Sequence, residues 1–374
     1  MVRFTFNPET MKNTLRTLLF SCLWWPAVVV CGYAQSIPWS LYEQNGAALS
    51  PAAILQGEEA LFALQNRRQW MQMDSPYRSS LFRLQYPFLR VQGDTAVHHY
   101  ATLGLLFLDD TQGDRLQLKQ NSLRLAFAYQ WHIGKQRLGI GVEAGWQSRR
   151  LSGEQITAYD PQGQPLQTEY LSTAPVSSWS VNVGALWRRP EEQSVHDRYW
   201  ISVGVYDLNR PDISQSSVLE SRQAVGWQLA AEARLFPLKQ AKGFRHSFSP
   251  TFYLTKQAGM AAYQAGGWYR YHFSENSGRL FRSGSIGLGL RYHQAGRTAL
   301  LVAVSSTTVN FQFAYDYTLP SAMPGMDMLG TTEFSIGLKK TLGRVKKLNK
   351  FDDFIINDDW GEDDIEELPE SPEP

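Results

Sequence analysis

Cysteine is almost absent: the 374 residues contain two, Cys22 and Cys31, both inside one N-terminal apolar stretch. An exported chain that loses that stretch has no disulfide to hold a thin core and no thiolate for catalysis or metal binding. The apolar run Leu18–Val30 is shorter than the about 20 residues a spanning helix needs, and mean hydropathy is −0.33, which argues against a bundle of membrane helices. A basic excess is missing too: the formal net charge is +1, so the composition gives no footprint for nucleic acid. The seven histidines, His98, His99, His132, His196, His246, His272 and His293, never stand in a metal-ligand spacing. The chain holds no Gly-x-Ser-x-Gly elbow and no phosphate loop. These absences point away from an enzyme and imply no cofactor, no metal and no catalytic set.

Residues 1–34 read as a signal peptide. Lys12 and Arg16 precede the apolar run, and Gly32-Tyr33-Ala34 supplies a small-x-small cleavage site, so the mature chain is expected to begin near Gln35. Lipidation at Cys31 is the alternative, but small residues directly before it are missing.

What the chain has in abundance is aromatic and small residues: 13% Phe, Trp and Tyr beside 29 glycines. From Glu58 onward, segments of roughly ten residues alternate apolar with small or polar positions, the period of a β-strand. Leu123, Leu125, Phe127, Tyr129 and Trp131 share one face, and Arg124, Ala126, Ala128 and Gln130 the other. A soluble sandwich alternates as well, but it scatters Lys, Glu and Thr outside. Here the weaker face is Gly, Ala, Ser, Asn and Gln with single charges, and Trp131, Trp146, Trp179, Trp187, Tyr199 and Tyr317 sit at the ends of the apolar face. An apolar belt, aromatic girdles and a polar interior are the layout of a transmembrane barrel. Lipid cannot satisfy a free strand edge, so such a sheet has to close.

The expected fold is therefore all-β: a closed antiparallel transmembrane β-barrel over residues 58–342. Fourteen strands are expected, at 58–70, 78–90, 98–108, 120–131, 137–148, 177–188, 198–207, 223–235, 246–256, 262–273, 281–293, 297–305, 308–318 and 331–341. Pro250 weakens the ninth and the split of 297–318 is uncertain, which keeps twelve or sixteen open. An even count places both chain ends on one side, periplasmic in bacterial barrels, with long loops on the other. The stretches Arg149–Val176, Asp207–Arg222, Asp109–Lys119 and Leu319–Gly330 would be outer loops. Residues 35–57 form a short periplasmic segment or plug. Residues 343–374 form an acidic periplasmic tail: 350–374 carries eleven acids against Lys350, leaving +11 for the rest. Such a tail is expected to be solvated on its own.

Two sets of residues suggest function. Arg124, Glu143, Glu232, Arg234, Arg270 and Arg291, with Lys339, fall on the small-residue face, and their mixed signs suggest a salt-bridged lumen rather than an ion filter. For partners, the tail interleaves Phe351, Phe354, Ile355 and Trp360 with acids such as Asp358 and Asp359, while loop 149–176 offers Arg149 and Arg150 at its base and Tyr159 at its tip. Acidic segments with apolar anchors dock on basic grooves.

Leu49-Ser50-Pro51-Ala52-Ala53, Asn66-Arg67-Arg68-Gln69-Trp70, the Asp109–Gly113 loop, Ala128-Tyr129, Tyr315-Asp316-Tyr317 and Gly330-Thr331-Thr332-Glu333-Phe334 follow in an order that resembles the PorP/SprF family of type IX secretion membrane proteins, over roughly residues 42–342. The resemblance implies an outer-membrane barrel serving export, surface attachment or gliding adhesins. It also implies a secreted surface protein with a type IX sorting domain as client, and periplasmic secretion or cell-wall-linking components as partners beside outer-membrane lipid. A transport barrel for hydrophobic or small polar solutes is the rival reading, and a lipid hydrolase a third.

Overall fold

The computed structural model describes residues 39–71, 77–92, 96–113, 116–153, 174–190, 197–214, 221–235, 245–273, 284–294, 296–318 and 330–342. Fourteen antiparallel strands form one closed barrel in which each strand pairs with its neighbours in sequence. They are β1 (Ala60–Gln69), β2 (Tyr77–Gln92), β3 (Ala96–Gln112), β4 (Leu116–Ile133), β5 (Gln136–Gly153), β6 (Val176–Arg189), β7 (Tyr199–Tyr206), β8 (Gly226–Ala233), β9 (Arg245–Gln257), β10 (Met260–Phe273), β11 (Gly284–His293), β12 (Arg297–Ser306), β13 (Val309–Thr318) and β14 (Gly330–Lys340). β1 closes on β14 from Ala60↔Lys340 to Gln69↔Thr331, so the sheet has no free edge strand.

The alternation explains which way each face turns. Leu123, Leu125, Phe127, Tyr129, Trp131 and Ile133 of β4 are exposed, Leu125 at 53%, whereas Ser122, Ala126, Ala128 and Gln130 are buried. The same inversion holds on β11, where Ile286, Leu288 and Leu290 look out. A barrel this apolar on its outer face is built for hydrocarbon. No helix among the described residues is long and apolar enough to cross a membrane; the strands do so.

The expected strands all occur, at a count of fourteen, but several run on. β3 continues through Asp109–Gln112, and β5 through Arg149 and Arg150 to Gly153, so those residues are ladder rather than loop. Paired polar residues carry a strand past the lipid boundary, and no apolar signal marks that continuation. Pro250 does not interrupt β9: it pairs with Gly267, and the ladder to β8 stops one residue away at Thr251. Pro87 likewise lies beyond the β1 ladder, which ends at Gln85. Both prolines stand where a neighbouring ladder has run out.

β1 starts and β14 stops at the same end, called here the terminal end. At the other, the loop end, lie the two longest connections, 154–175 and 207–225. Of the terminal-end connections, 190–198 and 234–244 are the longer turns that Pro190 and Pro237 mark in the sequence, and 274–283 is longer than the short turn expected there.

The barrel is filled. Two 3-10 helices, Tyr42–Ala48 and Pro51–Gln56, lie within it, and Leu41, Ala52, Ile54 and Leu55 are among the most buried residues. Ser40 meets the loop-end halves of β11, β13 and β14, and the chain then descends the lumen to Glu58 at the terminal end, where β1 begins.

Candidate functional site

The segment Trp39–Glu58 is gripped in three places. Its first turn is held by charge. Ser40 N and Leu41 N donate to the Glu333 carboxylate at 2.8 and 2.9 Å, and Ser40 Oγ donates to Asp316 at 2.6 Å. Arg67 lies 3.9 Å from Asp316 and 3.8 Å from Glu333, and Gln65 donates to Glu333 at 2.5 Å. Arg291 donates to the Ser40 carbonyl and to Glu43, with its guanidinium 4.2 Å over the Tyr42 ring. Trp268 Nε1 donates to the same Glu43 carboxylate at 3.2 Å, and Asn310 donates to Gln44 at 2.7 Å. All of these strand partners belong to β1 or β10–β14.

The second helix is held by dry packing against the opposite wall. Ser50 caps it by accepting from Ala52 N at 3.3 Å, while its hydroxyl donates to the Val203 carbonyl at 2.9 Å. Leu49, Ala52, Ala53, Ile54 and Leu55 form one buried cluster with Leu81, Leu106, Ala126, Ala128 and Leu186. Glycines on β3, β5, β6 and β7 make the room. A Cβ added at Gly141 would lie 2.5 Å from Ala52 N, one at Gly104 3.2 Å from Ile54, and one at Gly204 3.0 Å from the Leu49 carbonyl. Within the first helix Gly46 kinks the chain at φ +50, where an added Cβ would meet Gln85 and Arg83.

The exit is clipped at the terminal end. Arg188 donates to the Gln56 carbonyl at 2.7 Å and lies 3.8 Å from Glu58 and 3.5 Å from Asp197, and Arg137 binds Glu58 directly. Burial works to raise the Glu58 carboxyl, but Arg137 and Arg188 outweigh it and hold the group below the usual carboxylate range. At Asp197 burial wins over Arg188 and pushes the carboxyl up. Below the helices remains a polar cavity of about 160 Å³, lined by Glu43, Arg83, Trp200, Glu232, Arg270 and Lys339 among others.

Ser40, His293 and Asp316 bring a hydroxyl, an imidazole and a carboxylate together, but not as a nucleophile. Ser40 Oγ spends its one proton on Asp316, so the 3.2 Å contact to His293 Nε2 requires the imidazole to donate. A general base must accept there instead. All three groups are also fully buried behind the wall.

Arg124, Glu143, Glu232, Arg234, Arg270 and Arg291 lie along the inner wall as separate pairs rather than one network. Arg124 lies 3.7 Å from Glu143, which also accepts from Asn182 at 2.6 Å, and Arg270 donates to Glu232 at 2.7 Å. Arg234 is buried beside the β7 start, its backbone N donating to the Arg198 carbonyl. Arg291 finds its acid in the internal segment, not on a strand. Of the expected partner residues, Arg149 points inward and Arg150 outward on β5. Tyr159, Phe351, Phe354, Ile355, Asp358, Asp359 and Trp360 lie outside the described residues. Sequence reading missed Glu43, Arg67, Arg188 and Glu333, although alternation on β1, β6 and β14 puts the last three on the inner face. No group of acids and histidines among the described residues is arranged to hold a metal.

The sequence matches the family model described as Type IX secretion system membrane protein PorP/SprF over residues 32–338. The chain belongs to the PorP/SprF family. Its match runs through the internal segment as well as the strands, so the filled lumen lies within the part of the chain that defines PorP/SprF membership. No curated protein matches by sequence. Among solved structures the chain is similar to BamA of Haemophilus ducreyi lacking POTRA domains 1–3 (7% identity, 74% of this chain and 70% of that one, TM-score 0.38). It is also similar to a FadL homologue of Pseudomonas aeruginosa (11%, 78% and 92%, TM-score 0.40) and to OprB of Pseudomonas putida (10%, 76% and 94%, TM-score 0.33).

Proposed function

We propose that this protein is a non-enzymatic scaffold of type IX secretion, seated in the outer membrane with its loop end outside. On this reading the loops after β5 and β7 engage an exported surface protein carrying a sorting domain. The acidic tail after β14 contacts periplasmic secretion or cell-wall-linking components. The observation that carries the scaffold reading, against a solute passage, is the segment Trp39–Gln56 packed through the lumen with its backbone on glycines. A route for solute would have to break buried ion pairs on one wall and backbone contacts on the other.

Planar-bilayer recording tests this: the scaffold gives a silent barrel, and a large steady conductance would favour the transport reading instead. Deleting 350–374 and recovering partners from the periplasmic side tests the tail. Loss of a periplasmic partner is expected, and unchanged recovery removes that part of the proposal.

A further inference from the structure

Four cations stand in one cross-strand line on the outer wall. In the register of the sheet Arg68 on β1 is opposite Arg78 on β2, Arg78 is opposite Thr111 on β3, Thr111 is opposite Lys119 on β4, and Lys119 is opposite Arg150 on β5. Arg68, Arg78, Lys119 and Arg150 are all exposed. None of the four has a hydrogen bond or ion pair among the described residues.

The line caps two further tiers on the same outward face. Two residues nearer the membrane are Asn66, Ser80, Asp109, Asn121 and Ser148, again mutually opposite. Their groups answer one another: Asn66 donates to Ser80 at 2.9 Å, and the Asn121 amide nitrogen, in the orientation that satisfies both side chains, lies 2.6 Å from Asp109. Two residues further come Leu64, Phe82, Phe107, Leu123 and Trp146, the margin of the apolar belt. The sole acid on these tiers is thus already matched by an amide and stands one tier below the cations.

With strands about 4.8 Å apart and about 3.4 Å per residue, the cationic line is about 19 Å wide and about 14 Å along the strands from the last apolar tier. Directly opposed like charges repel across a sheet, and an anion shared between Arg68 and Arg78, or between Lys119 and Arg150, would relieve that repulsion. Two arginines forming a fork suit phosphate oxygens bidentately. The chain's own acidic segment, 350–374, leaves from the opposite end of the barrel, after Lys340. At the terminal end no such row of exposed strand cations forms: Arg90 faces His98 and Lys340 faces Ala60, while the exposed Lys135 is in a turn and the exposed Arg198 precedes β7.

We infer that Arg68, Arg78, Lys119 and Arg150 form a binding site for the phosphates of a multiply phosphorylated glycolipid in the leaflet at the loop end. Only the naming of that leaflet rests on the orientation proposed above. Lipid retention by the purified barrel is measured without client or tail, so it stands or fails separately.

The test uses the full-length mature protein in phosphatidylcholine nanodiscs doped with bisphosphorylated lipid A, with bound lipid counted by native mass spectrometry. Combined Arg68→Gln, Arg78→Gln, Lys119→Gln and Arg150→Gln substitution should lower lipid A retention at least tenfold, while Arg90→Gln with Lys135→Gln and Lys340→Gln leaves it unchanged. Each variant is first checked for the heat-modifiable gel mobility of a folded barrel, and single substitutions replace the combined one if it fails. Lipid A stripped of both phosphates should not be retained. Equal retention by the fourfold variant would overturn the assignment and hand the line to an acidic protein. Equal competition by phosphatidylglycerol, or displacement by millimolar inorganic phosphate, would overturn the choice of a multiply phosphorylated lipid.

Discussion

The internal segment is held differently at its two halves. Ser40–Gln44 is fixed by ions and hydrogen bonds to β1 and β10–β14, through Arg291, Glu333 and Asp316. Leu49–Gln56 is fixed by shape, with small apolar side chains and bare backbone laid on glycines and alanines of β3–β7. The contrast follows from chemistry. A chain entering a polar lumen brings unsatisfied N–H groups, and the Glu333 carboxylate takes two of them at once. At the second helix Ser50 takes the Ala52 N–H on its hydroxyl and the Ala53 N–H on its carbonyl, and Arg188 takes the Gln56 carbonyl, so the apolar side chains between can pack against the wall. The ionic half should therefore fix where the segment sits, because buried pairs tolerate little displacement. The packed half should exclude water from the lumen.

The largest effect is expected where a buried pair is broken. Arg291→Ala leaves the Glu43 carboxylate and the Ser40 carbonyl without their guanidinium, a loss of about 3–5 kcal/mol by analogy with other buried pairs. It should lower the thermal midpoint of the detergent-solubilised barrel; an unchanged midpoint would mean that the ionic half contributes little.

Gly141→Ala probes the other half. The new Cβ falls on Ala52 N and Pro51 backbone atoms that have nowhere to go, and overpacking of this kind costs about 1–3 kcal/mol. If the halves are independent, the double variant should destabilise by the sum of the singles within about 0.5 kcal/mol. A larger discrepancy would show that the segment responds as one body.

The smallest effect concerns the exit clip. Glu58 is held below its ordinary pKa in the folded state, so its contribution is present above an unfolded pKa of about 4.3 and is lost as pH falls through the lower folded value. Wild-type protein should therefore lose a fraction of a kcal/mol on acidification below about pH 4, and Glu58→Gln should lack that step. The same step in the variant would assign it to another carboxylate.

Much of the barrel was legible because lipid imposes a simple rule: alternating apolar residues on β4, β11 or β13 can face only outward once the sheet closes. Where the rule lapses, so did the reading. β3 and β5 continue past the belt through Asp109–Gln112 and Arg149–Gly153 without an apolar signal, so in the sequence their ends read as loops. The lumen charges were readable as inward-facing, but their partners were not. Glu43 is remote in sequence from Arg291, and although residues 35–57 read as a segment or plug, nothing local says which wall each of its residues meets. Gly104, Gly139, Gly141, Gly184 and Gly204 fall on the inner face by alternation. Their purpose, a bed for Leu49–Gln56, emerges only when four strands, β3, β5, β6 and β7, are brought together.

The occupied lumen is tested most directly by paired cysteines at Ile54 and Gly104, where an added Cβ at Gly104 lies 3.2 Å from the Ile54 side chain, within disulfide reach. The mature chain lacks competing thiols if residues 1–34 are removed, since Cys22 and Cys31 both lie there. In Ile54→Cys/Gly104→Cys protein taken from oxidised membranes, mass spectrometry should find the peptides carrying 54 and 104 joined. Two free thiols, both labelled by a water-soluble maleimide, would place the segment outside the barrel and contradict the account.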